Sequence, residues 1–286
     1  MIAFSHLEGH GSSPAILTVI HDQKISSLAL CNLLTREWSK QILLPSANAS
    51  CFAVNARGTK IAIGGWDSGK IQLFQSSGEV LAMDRIKNLS SLKFTDSDSL
   101  TCTTENTVFE WVPDSSMKKS FRSKGSIIEN LGNFIINQVG SRYEITEAHS
   151  GDLSVSIRPK ETGITSTFIL GSMMVISQTK GDVLLINLKS GEIEAEINSP
   201  KGHNPIHCGF VSETREIAVF HADLNTRSDG ILSCYDGNGR LTWDARVPIC
   251  PSVAVFSPII NGFITGSRKA LFLQRSSESI LVEHYL

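Results

Sequence analysis

The stretch that decides the fold runs from Phe52 to Met83 and reads FAVNARGTKIAIGGWDSGKIQLFQSSGEVLAM. It divides into four short β-rich runs separated by polar turns. Phe52-Ala53-Val54 ends at the turn Asn55-Ala56-Arg57-Gly58-Thr59-Lys60, and Ile61-Ala62-Ile63 ends at a turn bearing Asp67 and Gly69. In the third run Ile71 and Leu73 alternate with polar neighbours, the period of a strand with one buried face. Ser77-Gly78 then turns the chain into a fourth run. Glycine at such a turn supplies the positive φ that tight hairpins require. Four strands joined this way make an antiparallel meander, one blade of a propeller.

The same grammar recurs from Ser166 to Ile197, from Ile206 to Ala245, and from Ser252 to the end of the chain. Residues near 15–45, 88–123 and 125–159 repeat it less clearly, each with two or three strand candidates. Third strands are expected near residues 28, 72, 109, 144, 184, 232 and 272, a period of about 40 residues. No stretch carries a sustained helical period. The expectation is a single all-β domain, a seven-bladed β-propeller of four-stranded antiparallel blades. The blades fall near 1–46, 47–86, 87–123, 124–160, 161–200, 201–248 and 249–286. The first could draw its innermost strand from Ile2-Ala3-Phe4.

Three stretches resemble WD40 repeats. Ile61 to Phe74, IAIGGWDSGKIQLF, resembles that family's hairpin between the second and third strands, with Asp67 at the turn-aspartate position. Gly202-His203 resembles the Gly-His that opens a blade. Val253-Ala254-Val255-Phe256-Ser257-Pro258 resembles a first strand with its turn. The Trp-Asp dipeptide is absent from the end of every third strand, and only one blade opens with Gly-His. The resemblance implies structural roles for Asp67 and His203, the histidine bonding to a turn. It implies a WD40-like, non-catalytic protein-interaction scaffold, a monomeric propeller within a larger hetero-complex.

Composition agrees with a globular chain: 41% hydrophobic and 19% charged residues, with a formal net charge of −2 that offers no bulk attraction to polyanions. The six cysteines form no C-x-x-C pair, so they read as buried free thiols of a reducing compartment. The first residues show no basic, apolar leader, and no apolar run approaches the ~20 residues of a membrane span. The expected location is cytoplasmic, with the nucleus as an alternative.

No P-loop, G-x-S-x-G or H-E-x-x-H occurs. His203, His207, Cys208 and His221 lie close in sequence, but H-x-x-x-H aligns two imidazoles only on a helix, and this region reads as a loop entering a strand. Asp223, Asp229, Asp236 and Asn238 could suggest a calcium loop, yet Asp236-Gly237-Asn238-Gly239 is more simply a hairpin turn. No metal or cofactor is expected.

Basic residues at the turns between second and third strands are the leading partner-binding candidates: Lys24, Lys70, Arg142, Lys180, Arg227, Arg268 and Lys269. Only the blade with Thr104-Glu105-Asn106 lacks one. Leu224 joins them on a hairpin lengthened over residues 221–229, because insertions in repeat arrays mark binding faces. Such a ring of cations suits an acidic or phosphorylated segment of a protein partner, although exposed turns also recruit charge for solubility. A second basic group, Lys118, Lys119, Arg122 and Lys124 around Phe121, reads as a connection leaving a fourth strand. Trp38, Trp66, Trp111 and Trp243 read as packing between blades, or as hot spots if exposed.

Two other functions compete. A propeller enzyme or small-ligand binder would place titratable groups on the inner strands, where Phe52-Ala53-Val54, Phe168-Ile169-Leu170 and Val253-Ala254-Val255 are apolar. A nucleic-acid-associated subunit of a ribonucleoprotein would use the basic ring, against a sequence pI near 6.4.

Overall fold

The structure is a computed structural model. It describes residues 15–22, 25–32, 42–43, 51–55, 59–65, 68–75, 77–112, 115–159, 163–179, 181–211, 216–223, 230–247, 253–257, 262–266, 270–275 and 278–284, with side chains described between 51 and 246. Every regular element in these residues is a β-strand. They form one three-stranded and six four-stranded sheets.

The three-stranded sheet holds β1 (Ala15–Asp22), β2 (Ile25–Asn32) and β3 (Ile42–Leu43). Next come β4 (Cys51–Val54), β5 (Lys60–Gly64), β6 (Lys70–Gln75) and β7 (Val80–Arg85). The third sheet has β8 (Ser91–Phe94), β9 (Leu100–Thr103), β10 (Thr107–Trp111) and β11 (Lys118–Arg122). The fourth has β12 (Ser126–Asn130), β13 (Phe134–Val139), β14 (Arg142–Glu147) and β15 (Leu153–Ile157). The fifth has β16 (Ile164–Leu170), β17 (Met173–Gln178), β18 (Val183–Asn187) and β19 (Ile193–Ile197). The sixth has β20 (His203–Val211), β21 (Glu216–Asp223), β22 (Gly230–Tyr235) and β23 (Leu241–Val247). The last has β24 (Val253–Ser257), β25 (Gly262–Gly266), β26 (Ala270–Arg275) and β27 (Glu278–His284). Each is an antiparallel meander in sequence order.

Six third strands lie where the alternation puts them, centred near residues 72, 109, 144, 184, 232 and 272. Residue 28 falls in β2, the middle strand of the three-stranded sheet. Residues 2–4, the source suggested for a further strand there, lie outside the described residues. The 118–124 group departs from its expected place. Lys118, Lys119 and Arg122 belong to β11 itself, the fourth strand of its sheet, and not to a connection leaving it. Phe121 is half-buried against Val108, Ile135 and Ala148, while the flanking cations stay exposed, a common protection for an edge strand.

One turn recurs between third and fourth strands. Gln75 N–H donates to the Glu79 carbonyl and Gly78 N–H to that of Gln75. Glu147, Asp152 and Gly151 repeat the pattern, as do Asn187, Glu192 and Gly191, and Asp236, Arg240 and Gly239. The four glycines have φ between 76° and 94°, the left-handed region that only glycine enters freely. Asp236 Oδ1 also accepts the N–H groups of Asn238 and Arg240, both at 2.9 Å, so the 236–239 segment is a hairpin turn. In all four sheets a bulge follows at the same register, and one apolar residue emerges exposed: Val80, Leu153, Ile193 or Leu241.

The chain divides into two compact units, one containing β4–β15 and the other β16–β27. In the first, β8 packs beside β4 and β12 along their lengths. Ile71 and Leu73 of one sheet meet Leu92, Leu100, Cys102 and Trp111 of the next in one buried cluster. In the second unit β20 packs beside β16 and β24, and Val175, Val183 and Leu185 meet Ile217, Val219 and Tyr235. Within each unit the core therefore lies between consecutive sheets.

Leu73→Ala is expected to lower unfolding free energy by about 2–5 kcal/mol, because the cavity opens between two sheets. Met83→Ala, 69% exposed on β7, should change it by no more than about 0.5 kcal/mol. Urea denaturation of both variants checks the pair.

Candidate functional site

In a four-stranded meander the turn between strands two and three shares an end with the close of strand four and the entry of strand one. Backbone bonds tie this end together within the first unit: the turn of a sheet to the chain leaving its fourth strand, and the third sheet's turn to the fourth sheet. Ile86 N–H, on the chain entering the third sheet, donates to the Gly69 carbonyl at 2.8 Å. Ile127 N–H of β12 donates to the Glu105 carbonyl at 2.7 Å, and Ser123 N–H to Asn106 at 2.8 Å. Gly69 has φ +62°, and a Cβ there would lie 2.3 Å from the Ile86 carbonyl oxygen, so the residue is constrained twice. In the second unit the Ser199 hydroxyl donates to the Gly181 carbonyl in the same way. The Ile127–Glu105 bond sets the turn of the third sheet beside the entry of the fourth.

Of the sequence-derived candidates, Lys70 and Arg142 are described. Each is exposed and is the first residue of a third strand, β6 or β14. Lys24, Lys180, Leu224, Arg227, Arg268, Lys269 and Asp67 lie outside the described residues. Residues 224–229, the lengthened hairpin, lie there too.

The register adds a second row of cations. Lys70 pairs with Arg85, the last residue of β7. Thr107 pairs with Arg122, the last residue of β11. Tyr143 pairs with Ile157, which sets Arg158 beside Arg142. Arg85, Arg122 and Arg158 are all exposed. The sheet whose turn lacks a basic residue therefore gains one from its outer strand. Lys87 and Lys124, also exposed, stand at the entries to the third and fourth sheets. In the sixth sheet Arg246 of β23 pairs with Ile231 near the same end. Arg85 Nε donates to the Ser68 carbonyl at 2.9 Å, which leaves the terminal guanidinium donors facing outward.

The opposite end of the first unit carries a surplus of acids, with Lys60 and Lys118 among them, while Glu105 is the exposed acid of a turn at the basic end. Glu79, Asp96, Glu147 and Asp152 are exposed at the acid-rich end. Turns on this end are tied by side chains: Asn55 Nδ2 donates to Asp98 Oδ1 at 2.9 Å, and Asn133 Nδ2 to Asp96 Oδ2 at 2.5 Å. Lys60 Nζ lies 3.2 Å from Asp98 Oδ2. Near-zero net charge thus conceals a unit with a surplus of cations at one end and of acids at the other.

First strands are not uniformly apolar, as β4 and β16 had indicated. Lys93 of β8 and Glu129 of β12 lie on neighbouring strands. Burial raises the Glu129 carboxyl above the usual carboxylate range, while Lys93 and the Asn130 N–H oppose the shift.

His203 and His207 belong to β20, paired with Asp223 and Phe220, while His221 of β21 pairs with Pro205. His203 Nδ1 lies 3.2 Å from the Lys201 carbonyl. His221 is fully buried, its Nε2 sits 3.4 Å from the Tyr235 hydroxyl, and its Nδ1 has no partner among the described residues. Burial, then neighbouring His203, lowers its pKa to about 4. Among the described residues no group of three or more His, Cys, Asp or Glu is disposed to hold a metal. Cys102 and Cys234 are buried, Cys51 and Cys208 half-buried, all as free thiols. Burial pushes the Cys234 thiol up to about 12, the behaviour of an unreactive core thiol. Trp111 is buried with Nε1–H donating to the Ser115 carbonyl at 3.2 Å, and Trp243 packs partly buried against Phe220 and Leu232. Both serve packing between strands; Trp38 and Trp66 lie outside the described residues. No helix among the described residues is long and apolar enough to cross a membrane.

No protein-family model and no curated protein matches this chain.

His221 generates a pH prediction. Its folded pKa lies below the unfolded value of 6.5, so the unfolded state binds more protons in between. Stability should be full above pH 6.5 and fall as pH drops toward 4, by on the order of 3 kcal/mol. Urea midpoints of the parent and His221→Gln across this range should show a flatter slope in the variant; equal slopes would refute the assignment.

Proposed function

We propose that the repeated sheets are the blades of one seven-bladed, WD40-like propeller that acts as a non-catalytic protein-interaction scaffold. Its binding surface is the end that carries the second-to-third-strand turns. The partner is an acidic or phosphorylated protein segment held by Lys70, Arg85, Arg122, Arg142 and Arg158, with Lys24, Lys180, Leu224, Arg227, Arg268 and Lys269 on the corresponding turns elsewhere. In this reading the protein is a cytoplasmic subunit of a larger assembly and uses no cofactor.

One observation carries the proposal: three consecutive sheets each present an exposed arginine at the same end. Solubility alone does not require a surplus of cations at one end and a surplus of acids at the other. Guanidinium groups spaced along a rigid rim can bind carboxylates or phosphates two-pronged, and the bonded turns hold their spacing.

The test compares the parent with a variant carrying Lys70→Ala, Arg122→Ala, Arg142→Ala and Arg158→Ala. Proteins captured from source-cell extract by the parent should be lost from the variant at least about tenfold, with the melting temperature nearly unchanged. Partners retained equally by both would exclude this surface. A captured set dominated by RNA, released by ribonuclease and steeply salt-dependent, would replace the protein partner with a nucleic acid.

A further inference from the structure

The outer strand of the second sheet differs from its counterparts. In β7, Val80, Leu81 and Met83 are 44%, 39% and 69% exposed. Three of the other outer strands with described side chains expose a single large apolar residue, Leu153, Ile193 or Leu241, at their first position, and otherwise present charge or hydroxyl groups: Lys118 and Lys119 in β11, Ser154 and Ser156 in β15, Glu194 and Glu196 in β19, Asp244 and Arg246 in β23. Among the described residues β7 pairs only with β6 and ends its sheet. Half of its backbone groups point away from the sheet, and the charges lie only at its two ends, Glu79 before it and Asp84-Arg85 at its close; an edge with an apolar middle is a template for strand addition.

The sequence of this edge is complementary to itself. It reads Glu79-Val80-Leu81-Ala82-Met83-Asp84-Arg85. Laid antiparallel on a second copy and centred on Ala82, it sets Leu81 opposite the second copy's Met83, Glu79 opposite the second copy's Arg85, and, on the other face, Val80 opposite the second copy's Asp84. The polarity of the unit reinforces this alignment. Arg85 has Lys70 as its cross-strand neighbour at the basic end, while Glu79 stands exposed in a turn at the acidic end. Antiparallel contact brings each end against its opposite, and parallel contact would bring like against like.

We infer that the chain forms a two-fold symmetric dimer through β7, with a second copy of the same edge as its occupant. A two-fold contact uses one patch twice and closes on itself, so the association stops at two copies. The bulge between Leu73 and Phe74 in the β6–β7 pairing shortens the regular ladder, and the contact rests on one strand from each side. The dimer is therefore weak and depends on concentration.

Sedimentation velocity of the full chain over a wide concentration range tests the inference, with circular dichroism confirming that every variant is folded. The parent should pass from monomer to dimer. Met83→Lys should remain monomeric. Glu79→Arg and Arg85→Glu, which each create two like-charge contacts per dimer, should weaken association at least about tenfold. The double variant Glu79→Arg with Arg85→Glu should recover most of it. A parent that stays monomeric at every concentration overturns the inference. So does a dimer indifferent to Met83→Lys, or a double variant no better than the single ones.

Discussion

The four-stranded sheets whose side chains are described bury apolar residues on both faces, and this constraint governs the rest. In β6 the inward residues Ile71 and Leu73 bury against the third sheet, while Phe74 is buried too. In β18 the run Val183-Leu184-Leu185-Ile186 is buried throughout. A sheet of this kind cannot stand alone in water, because one face would remain wet whichever way it lay. It needs a neighbour on each side. Stacking consecutive sheets meets that need while keeping every strand pairing local in sequence. Outer strands, with alternating or exposed patterns such as that of β15 and β19, mark where the demand for burial ends.

Local hydrogen bonds convert this stacking into a defined alignment. Apolar contact alone would allow adjacent sheets to slide, since the hydrophobic effect has no direction. Bonds such as Ile127 N–H to Glu105 at one end, and Asn133 to Asp96 at the other, fix the offset. Gly69, having no side chain, leaves room for the chain that departs toward the third sheet. The charge separation between ends follows from this alignment: cations at the ends of successive outer strands become one row only because the sheets do not slide.

The strand pattern was legible wherever alternation was strong, and the site was only partly so. Ile71/Leu73 and Val183/Leu185 announce their strands because period two with aliphatic residues has few other readings. The fourth strand β11, Lys118–Arg122, offers one aromatic among cations, and local composition argues for a solvated connection; its pairing with β10 decides otherwise. The first strands β8 and β12 are short and mixed, so Lys93 and Glu129 escaped notice as neighbours. Lys70 and Arg142 could be picked out because their turns bear glycine. Arg85, Arg122 and Arg158 could not, because only the register, including the bulge that shifts it, reveals which outer-strand residue returns to the turn.

The repeated third-to-fourth-strand turns bear on how the protein is made. Each sheet from β4 onward holds all its strands within about one repeat of sequence, and glycine turns such as those at Gly78, Gly151 and Gly191 require no distant partner to form. On the ribosome a meander can therefore pair its strands soon after it emerges, before the following one exists. Its second face must wait. During synthesis the nascent chain carries, at its growing edge, one exposed apolar sheet surface that is covered only when the next meander arrives. That surface is a transient binding site for chaperones, and it moves along the chain one sheet at a time.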